Sequence, residues 1–391
     1  MEQRTNQMLF VLLRSAVREE PIEKDVIERF FGDTPKKIEI TSLVTLAKRH
    51  DVAPMLAASL VENGLVSEAS RGASSEIAKA ILRYEKQKRE LDGVSSAFED
   101  LAIPFIQLKG AILREYYREP WMRTSCDIDI LVHHKDLERA VECLEKLGFT
   151  KKDRSAHDVS LLSESGVNVE LHFDLVEEGR ANNAIEILSS VWENVTLIGG
   201  SECRYEMSDA FFYFYHIAHM AKHFEEGGCG IRPFIDLWLL DNAAGADVEG
   251  RLELLERGGL LKFAKCVQAL SRVWFDGEPM NDVSLKMQNF ILSGGIYGST
   301  DNRVAVKKKG GKGKVRYIFS RAFAPYERLK RYYPILEKHR YLTPIMQVRR
   351  WFMLLNPSVA KMAKSEIYAN ANGDKEKTSD IKDLFENIGL K

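Results

Sequence analysis

Apolar residues recur at helical spacing from the N-terminus to about residue 97. Leu43, Leu46, Ala47, Val52, Met55, Leu56 and Leu60 form one such series, and Ile77, Ile81, Tyr84 and Leu91 another. The period then changes. Pro104–Leu108 reads as a short buried strand, and Ala111–Tyr117 reads as a helix after Lys109-Gly110. In Asp127–Val132, acidic and apolar residues alternate before Leu131 and Val132, the pattern of a strand with one buried face. Leu137, Ala140, Val141, Leu144 and Leu147 predict a helix stopped at Gly148. Val159–Ser163 and Asn168–Leu175 predict a hairpin around Glu164-Ser165-Gly166. Helical spacing returns over 184–195 and 209–224, the second capped at Met207-Ser208-Asp209, and again over 248–290. A Gly- and Lys-rich loop over 293–314, helices over 315–322 and 344–355, and a polar stretch over 370–379 complete the chain. Behind that stretch, Ile381, Leu384, Phe385 and Ile388 predict a docking helix. The expected fold is α+β, a small sheet core within largely helical N- and C-terminal regions. Four segments are expected: helical 1–97, a sheet core 98–178, a helical domain 179–299, and a basic loop with C-terminal helices over 300–391.

The chemistry concentrates in the middle of this pattern. Asp127 and Asp129 share one strand face, about 6–7 Å apart, while Ile128 and Ile130 take the other. Two such carboxylates repel unless a divalent cation stands between them. In Asn168–Asp174, Glu170, His172 and Asp174 alternate with Val169, Leu171 and Phe173, so a third carboxylate stands on a second strand. An oxygen-rich set of this kind suits Mg²⁺ or Mn²⁺ better than zinc. Glycine at a strand-to-helix turn lets a phosphate approach the free N–H groups of the helix start, which makes Lys109-Gly110 a phosphate-binding candidate. Arg123 is placed to hold another phosphate oxygen.

The order strand, Lys-Gly, helix, Arg-x-x-x-Asp-Ile-Asp, helix and Glu-Leu-His on a strand resembles the polymerase-beta-like nucleotidyltransferase superfamily. Within it, the chain is similar to a group of bacterial uncharacterised nucleotidyltransferases. The superfamily turn is usually Gly-Gly or Gly-Ser; Lys109-Gly110-Ala111 matches the narrower group. The motif core covers residues 104–174, and a weaker likeness covers most of the chain. The resemblance implies Asp127, Asp129 and Glu170 as ligands of two Mg²⁺ (or Mn²⁺) ions and as the catalytic set, with an NTP as substrate. It also implies a helix carrying Lys222-His223 followed by Arg232 and Asp236, with Lys222 and Arg232 near the triphosphate. His172, His223 and Asp236 would support these groups. The competing account of that segment is an Arg232–Asp236 ion pair and a satisfied core His223.

Composition narrows the setting. With 391 residues, 45% hydrophobic and 29% charged, the chain has the content of a soluble globular protein with two or three domains. No apolar run approaches the roughly 20 residues of a membrane helix, and a secretory signal is not expected. Five cysteines without C-x-x-C spacing fit a reducing cytoplasm better than a disulfide scaffold. Residues 301–350 carry fifteen Lys/Arg and three Asp/Glu, +12 in a chain of net −1, so the remainder carries −13. That surface either docks an anionic acceptor or partner or pairs with acidic parts of the same chain. His216, His219 and His223 share a helix face. Zinc with Cys229 is one reading of them; without H-E-x-x-H, a structural or pocket-lining role is favoured. Lys307–Lys314 lacks P-loop spacing. The expected activity is metal-dependent transfer of NMP to a hydroxyl, with a small molecule or sugar favoured as acceptor. A protein or RNA acceptor, possible through the basic region, and a non-catalytic nucleotide-binding module are the alternatives.

Overall fold

The computed structural model describes residues 2–390 except 33–36, 68–70, 156, 177–182, 296–297, 300–301, 304–305, 307–322, 327–328, 331–332, 334 and 353–374. The helix expected over 315–322 and most of the Gly- and Lys-rich loop lie outside the described residues.

Five helices precede the sheet: α1 (Glu2–Arg18), α2 (Lys24–Phe31), α3 (Lys37–Arg49), α4 (Ala53–Glu62) and α5 (Arg71–Asp100). The middle of the chain supplies β1 (Phe105–Gln107), α6 (Lys109–Leu113), β2 (Asp127–Val132), α7 (Leu137–Lys146), β3 (Thr150–Arg154), β4 (Asp158–Leu162) and β5 (Asn168–His172). Then follow α8 (Ala184–Ser189), β6 (Val195–Leu197), β7 (Arg204–Met207), α9 (Asp209–Glu225), α10 (Arg232–Asp241), α11 (Val248–Arg257), α12 (Leu261–Phe275) and α13 (Asp282–Gly294). The seven strands form one mixed sheet in the order β3-β4-β5-β2-β1-β7-β6. This is the α+β architecture expected from the sequence.

Three strands escaped the periodicity. β3 is exposed along its whole length, so it has no apolar face to betray it. β6 and β7 are short, and β7 pairs in parallel with β1. The sheet therefore continues past residue 178, where the sequence pattern places the end of the core. The helix expected over 184–195 ends at Ser189, and its last residue enters β6. The helix after Lys109-Gly110 starts at Lys109 itself and tightens into a 3₁₀ turn over Arg114–Tyr116.

One sheet face is buried by Ile128, Ile130, Val132, Val159, Leu161, Val169 and Leu171 against Leu137, Ala140, Val141 and Leu144 of α7 and Val94 and Phe98 of α5. A larger core joins α1 and α4 to α9, α10, α12 and α13. The C-terminal helix Lys375–Ile388 docks into this core through Ile381, Leu384, Phe385 and Ile388, as its apolar stripe predicts. The Phe385 ring meets Phe290 edge-on at 5.8 Å. Ser208 caps α9 as expected, its side chain accepting the Phe211 N–H.

His50, at the end of α3, is fully buried, and neither ring nitrogen has a hydrogen-bond partner among the described residues. Burial, with Arg49 nearby, lowers its pKa from 6.5 to about 4. The unfolded chain takes a proton on this ring below 6.5, and the folded chain does not until about 4. Stability is therefore fully present above the higher value and is lost as pH falls through that window, by about 2 kcal/mol at pH ~5. His50→Leu is expected to flatten that acid limb. Urea midpoints of both proteins at pH ~7 and ~5 measure it.

Candidate active site

The polar face of the sheet opens into a cavity of about 280 Å³. Its floor is made by β2 and β5, which run parallel with Asp127 opposite Asn168 and Asp129 opposite Glu170. Alternation along each strand sends Asp127, Asp129, Glu170 and His172 to the face opposite the Ile128–Ile130 core. The sequence pattern anticipated all four.

The carboxylates are crowded. Burial and the neighbouring Asp129 charge raise the Asp127 pKa. Burial, then Asp129 and Asp127, push Glu170 up to about 7. Burial also opposes ionisation of Asp129, but the hydrogen bond and charge of His172 outweigh it and hold that carboxyl below its ordinary range. His172 Nε2 lies 3.1 Å from Asp129 Oδ1, and this contact raises the His172 pKa despite its burial. One imidazole thus offsets part of three carboxylates, which leaves an acidic oxygen-rich floor. Asp129, Glu170 and His172 present ligand atoms within 4.8 Å of one another. Oxygen donors at this density fit a hard divalent cation.

The turn before α6 forms one wall. The Leu108 N–H donates to the Asp129 carbonyl at 2.9 Å, which ties the turn to β2. A Cβ at Gly110 would meet Ser125 Oγ at 3.2 Å, so any larger residue at this turn would have to push the Ser125 hydroxyl aside. Arg114, buried, donates from Nε to the Gly110 carbonyl at 2.8 Å. Ser125 Oγ in turn donates to the Asp127 carbonyl at 2.8 Å. The Lys109 ammonium lies 4.7 Å from the centre of the Tyr215 ring.

Helices α9 and α10 form the opposite wall with Tyr215, His216, His219, Lys222, His223, Arg232, Pro233 and Asp236. Burial lowers the Lys222 pKa. The Arg232–Asp236 ion pair of the competing account does not form. Asp236 accepts Arg123 Nε at 2.8 Å, Arg123 Nη2 at 2.9 Å and the Tyr117 hydroxyl at 2.8 Å, all buried. Arg232 instead donates from Nη1 to Asp51 and to the Thr124 carbonyl. Arg232 stands at the first position of α10 and reaches Asp51 in the α3–α4 turn, while Asp236, one turn on, is already held by Arg123 and Tyr117. Arg123 therefore has two nitrogens committed to Asp236, with Nη1 lying toward Gly110.

His223 is not a core histidine. It lines the cavity with its Nε2 3.2 Å from that of His219. The core member of the trio is His216, whose Nε2 pairs with the Pro233 carbonyl at 3.0 Å. Among the described residues these three do not form a compact metal-donor group.

All eleven residues singled out from the sequence line this cavity, and so does Asp174. The sequence missed Asp51, Ser125, His157 and Tyr215, while His219 takes the pocket-lining role that its helix face suggested. Tyr215 was hidden in an aromatic run, and His157 in the approach to β4. Asp51 lies in the turn between α3 and α4, in a region where nothing in the sequence pointed to chemistry. Its backbone is left-handed, φ 59°, which residue spacing does not reveal.

Residues 36–276 match the family described as uncharacterised nucleotidyltransferase, and the chain belongs to that family. The match runs from α3 to the end of α12 and so includes the sheet, the carboxylate floor and both cavity walls. It makes the chain a transferase that handles nucleotides. Among curated proteins none matches the chain. No helix among the described residues is long and apolar enough to cross a membrane.

Proposed function

We propose that this nucleotidyltransferase transfers a nucleoside monophosphate from an NTP to a hydroxyl group, in the manner of the polymerase-beta-like enzymes it resembles. The observation that carries the reading is the register of β2 and β5. It sets Glu170 beside Asp129, with Asp127 on the same face, at the floor of a cavity whose walls hold Lys109, Lys222 and Arg232. Asp127, Asp129 and Glu170 would hold two Mg²⁺ or Mn²⁺ ions, which supply charge neutralisation on the phosphates and acidify the acceptor hydroxyl.

The protein's own groups do the rest. Lys109, Lys222 and Arg232 bind the triphosphate and take up charge as it moves to the leaving pyrophosphate. Gly110 offers its backbone N–H to a phosphate at the start of α6. Glu170 takes the acceptor proton. A bond forms between the acceptor oxygen and the α-phosphorus, and the bond to the bridging oxygen breaks, releasing pyrophosphate. His172 keeps Asp129 ionised and oriented. Arg123, Tyr117 and Asp236 lock α10 onto the segment entering β2, which sets the distance between the walls and the floor.

The reading favours a small-molecule or sugar acceptor, with a protein or RNA acceptor as the second possibility. NTPs labelled at the α- or γ-phosphorus, incubated with Mg²⁺, protein and cell extract, test it. The α label should move to an acceptor while the γ label leaves as pyrophosphate, and the size of the labelled product separates the two acceptor classes. Transfer of the γ label would mean phosphorylation and would overturn the proposal.

A further inference from the structure

At the rim of the cavity, where β4 begins, a second donor cluster stands beside the carboxylate floor. His157, Asp158 and His172 each present a ligand atom, and these atoms lie within 4.8 Å of one another. The strand register brings them together, since Asp158 is the partner of His172 across the β4–β5 ladder. His157 Nε2 is 2.9 Å from Asp158 Oδ2. The two imidazoles stack with centroids 5.9 Å apart.

The segment is held in place before any ligand arrives. The Phe173 N–H donates to the His157 carbonyl at 2.9 Å. Ser155 Oγ accepts the backbone N–H of His157 and of Asp158, both at 3.2 Å. The same hydroxyl donates to Asp158 Oδ2 at 2.8 Å. Such outer contacts fix the orientation of metal-binding side chains. All three side chains are partly buried, at 25%, 16% and 13% exposure for His157, Asp158 and His172. An ion can therefore reach them from the cavity that His157 and His172 line.

From this cluster we infer that His157, Asp158 and His172 form a binding site for one divalent transition-metal ion, next to the three-carboxylate centre and joined to it through His172. Two imidazole nitrogens and one carboxylate suit Zn²⁺, Mn²⁺, Fe²⁺ or Co²⁺, and they suit Mg²⁺ poorly. Tetrahedral ligands with bonds of about 2.0–2.2 Å stand roughly 3–3.5 Å apart, a spacing that small side-chain rotations reach from the present one. Three protein ligands leave a coordination position open for water or an oxygen of the acceptor. His172 belongs to both donor groups, so filling one site changes the other.

The full chain, stripped of metal with a chelator and then titrated with Co²⁺, tests the inference through the visible d–d absorption of protein-bound cobalt. Wild type should bind Co²⁺ at this site, and His157→Ala should weaken that binding by about a hundredfold or more, with Asp158→Asn also weakening it. The Asp127→Asn/Asp129→Asn variant should keep the cobalt band, so failure of this site and failure of the carboxylate reading are told apart. Thermal melts of each variant exclude unfolding as the cause. No cobalt band in wild type would overturn the inference. So would a titration unchanged by His157→Ala, or a band lost with His219→Ala or with the aspartate pair instead.

Discussion

Arg123→Met is expected to produce the largest loss of stability of any single substitution at the cavity, about 3–5 kcal/mol. The methionine leaves Asp236 almost fully buried with two of its three hydrogen-bond donors removed and only the Tyr117 hydroxyl remaining. Asp236 keeps its carboxyl below the ordinary range, against its burial, chiefly through the Arg123 charge. Without it the carboxylate must either stay charged in an apolar setting or take up a proton. Arg123→Met/Asp236→Leu should recover much of the loss, because removing both partners leaves no orphaned charge. Guanidinium midpoints of the three proteins give the answer. Equal stability of Arg123→Met and wild type would mean that this arginine is not the lock between α10 and the entry to β2.

Glu170→Gln is expected to give the second large effect, a fall in nucleotide transfer of about 10²–10⁴-fold. The substitution keeps the shape of the side chain and removes the carboxylate charge to which the proposed mechanism gives both metal binding and proton uptake. It should also make the metal-free protein more stable at alkaline pH. Glu170 titrates at about 7 in the fold, against 4.5 ordinarily, so between these values the folded state holds a proton that the unfolded state has lost. Stability therefore falls as pH rises through that window in wild type, and a glutamine has nothing to lose there. Melting curves in chelator at pH ~5 and ~8 should show a pH-dependent drop in wild type that is smaller in the variant. A variant that transfers nucleotide at the wild-type rate would remove Glu170 from the chemistry.

Legibility of the sequence followed burial. The cavity-floor strands were readable because a strand that buries one face in the core and turns acids to the cavity on the other alternates cleanly, as Asp127–Val132 and Asn168–His172 do. The docking of the C-terminal helix was readable for the same reason, since Ile381, Leu384, Phe385 and Ile388 make one stripe. β3 left no signal because both its faces are exposed, and β7 left little because four residues are too few to show a period. The family resemblance supplied Lys222 and Arg232, and both line the cavity. It did not supply their partners. Whether Asp236 pairs with Arg123 or Arg232 depends on the direction in which α10 enters the wall, and Asp51 reaches Arg232 only through the packing of helices far apart in sequence. Pairings of that kind are set by tertiary packing and leave no local trace.

The central claim is that the carboxylate floor binds a metal–nucleotide complex. Isothermal titration of each NTP with Mg²⁺ into wild type and into Asp127→Asn/Asp129→Asn tests it most directly. The account predicts that wild type binds at least one NTP only when Mg²⁺ is present, and that the folded double variant does not. Binding that persists unchanged in the double variant, or no binding of any NTP by well-folded wild type, would contradict it.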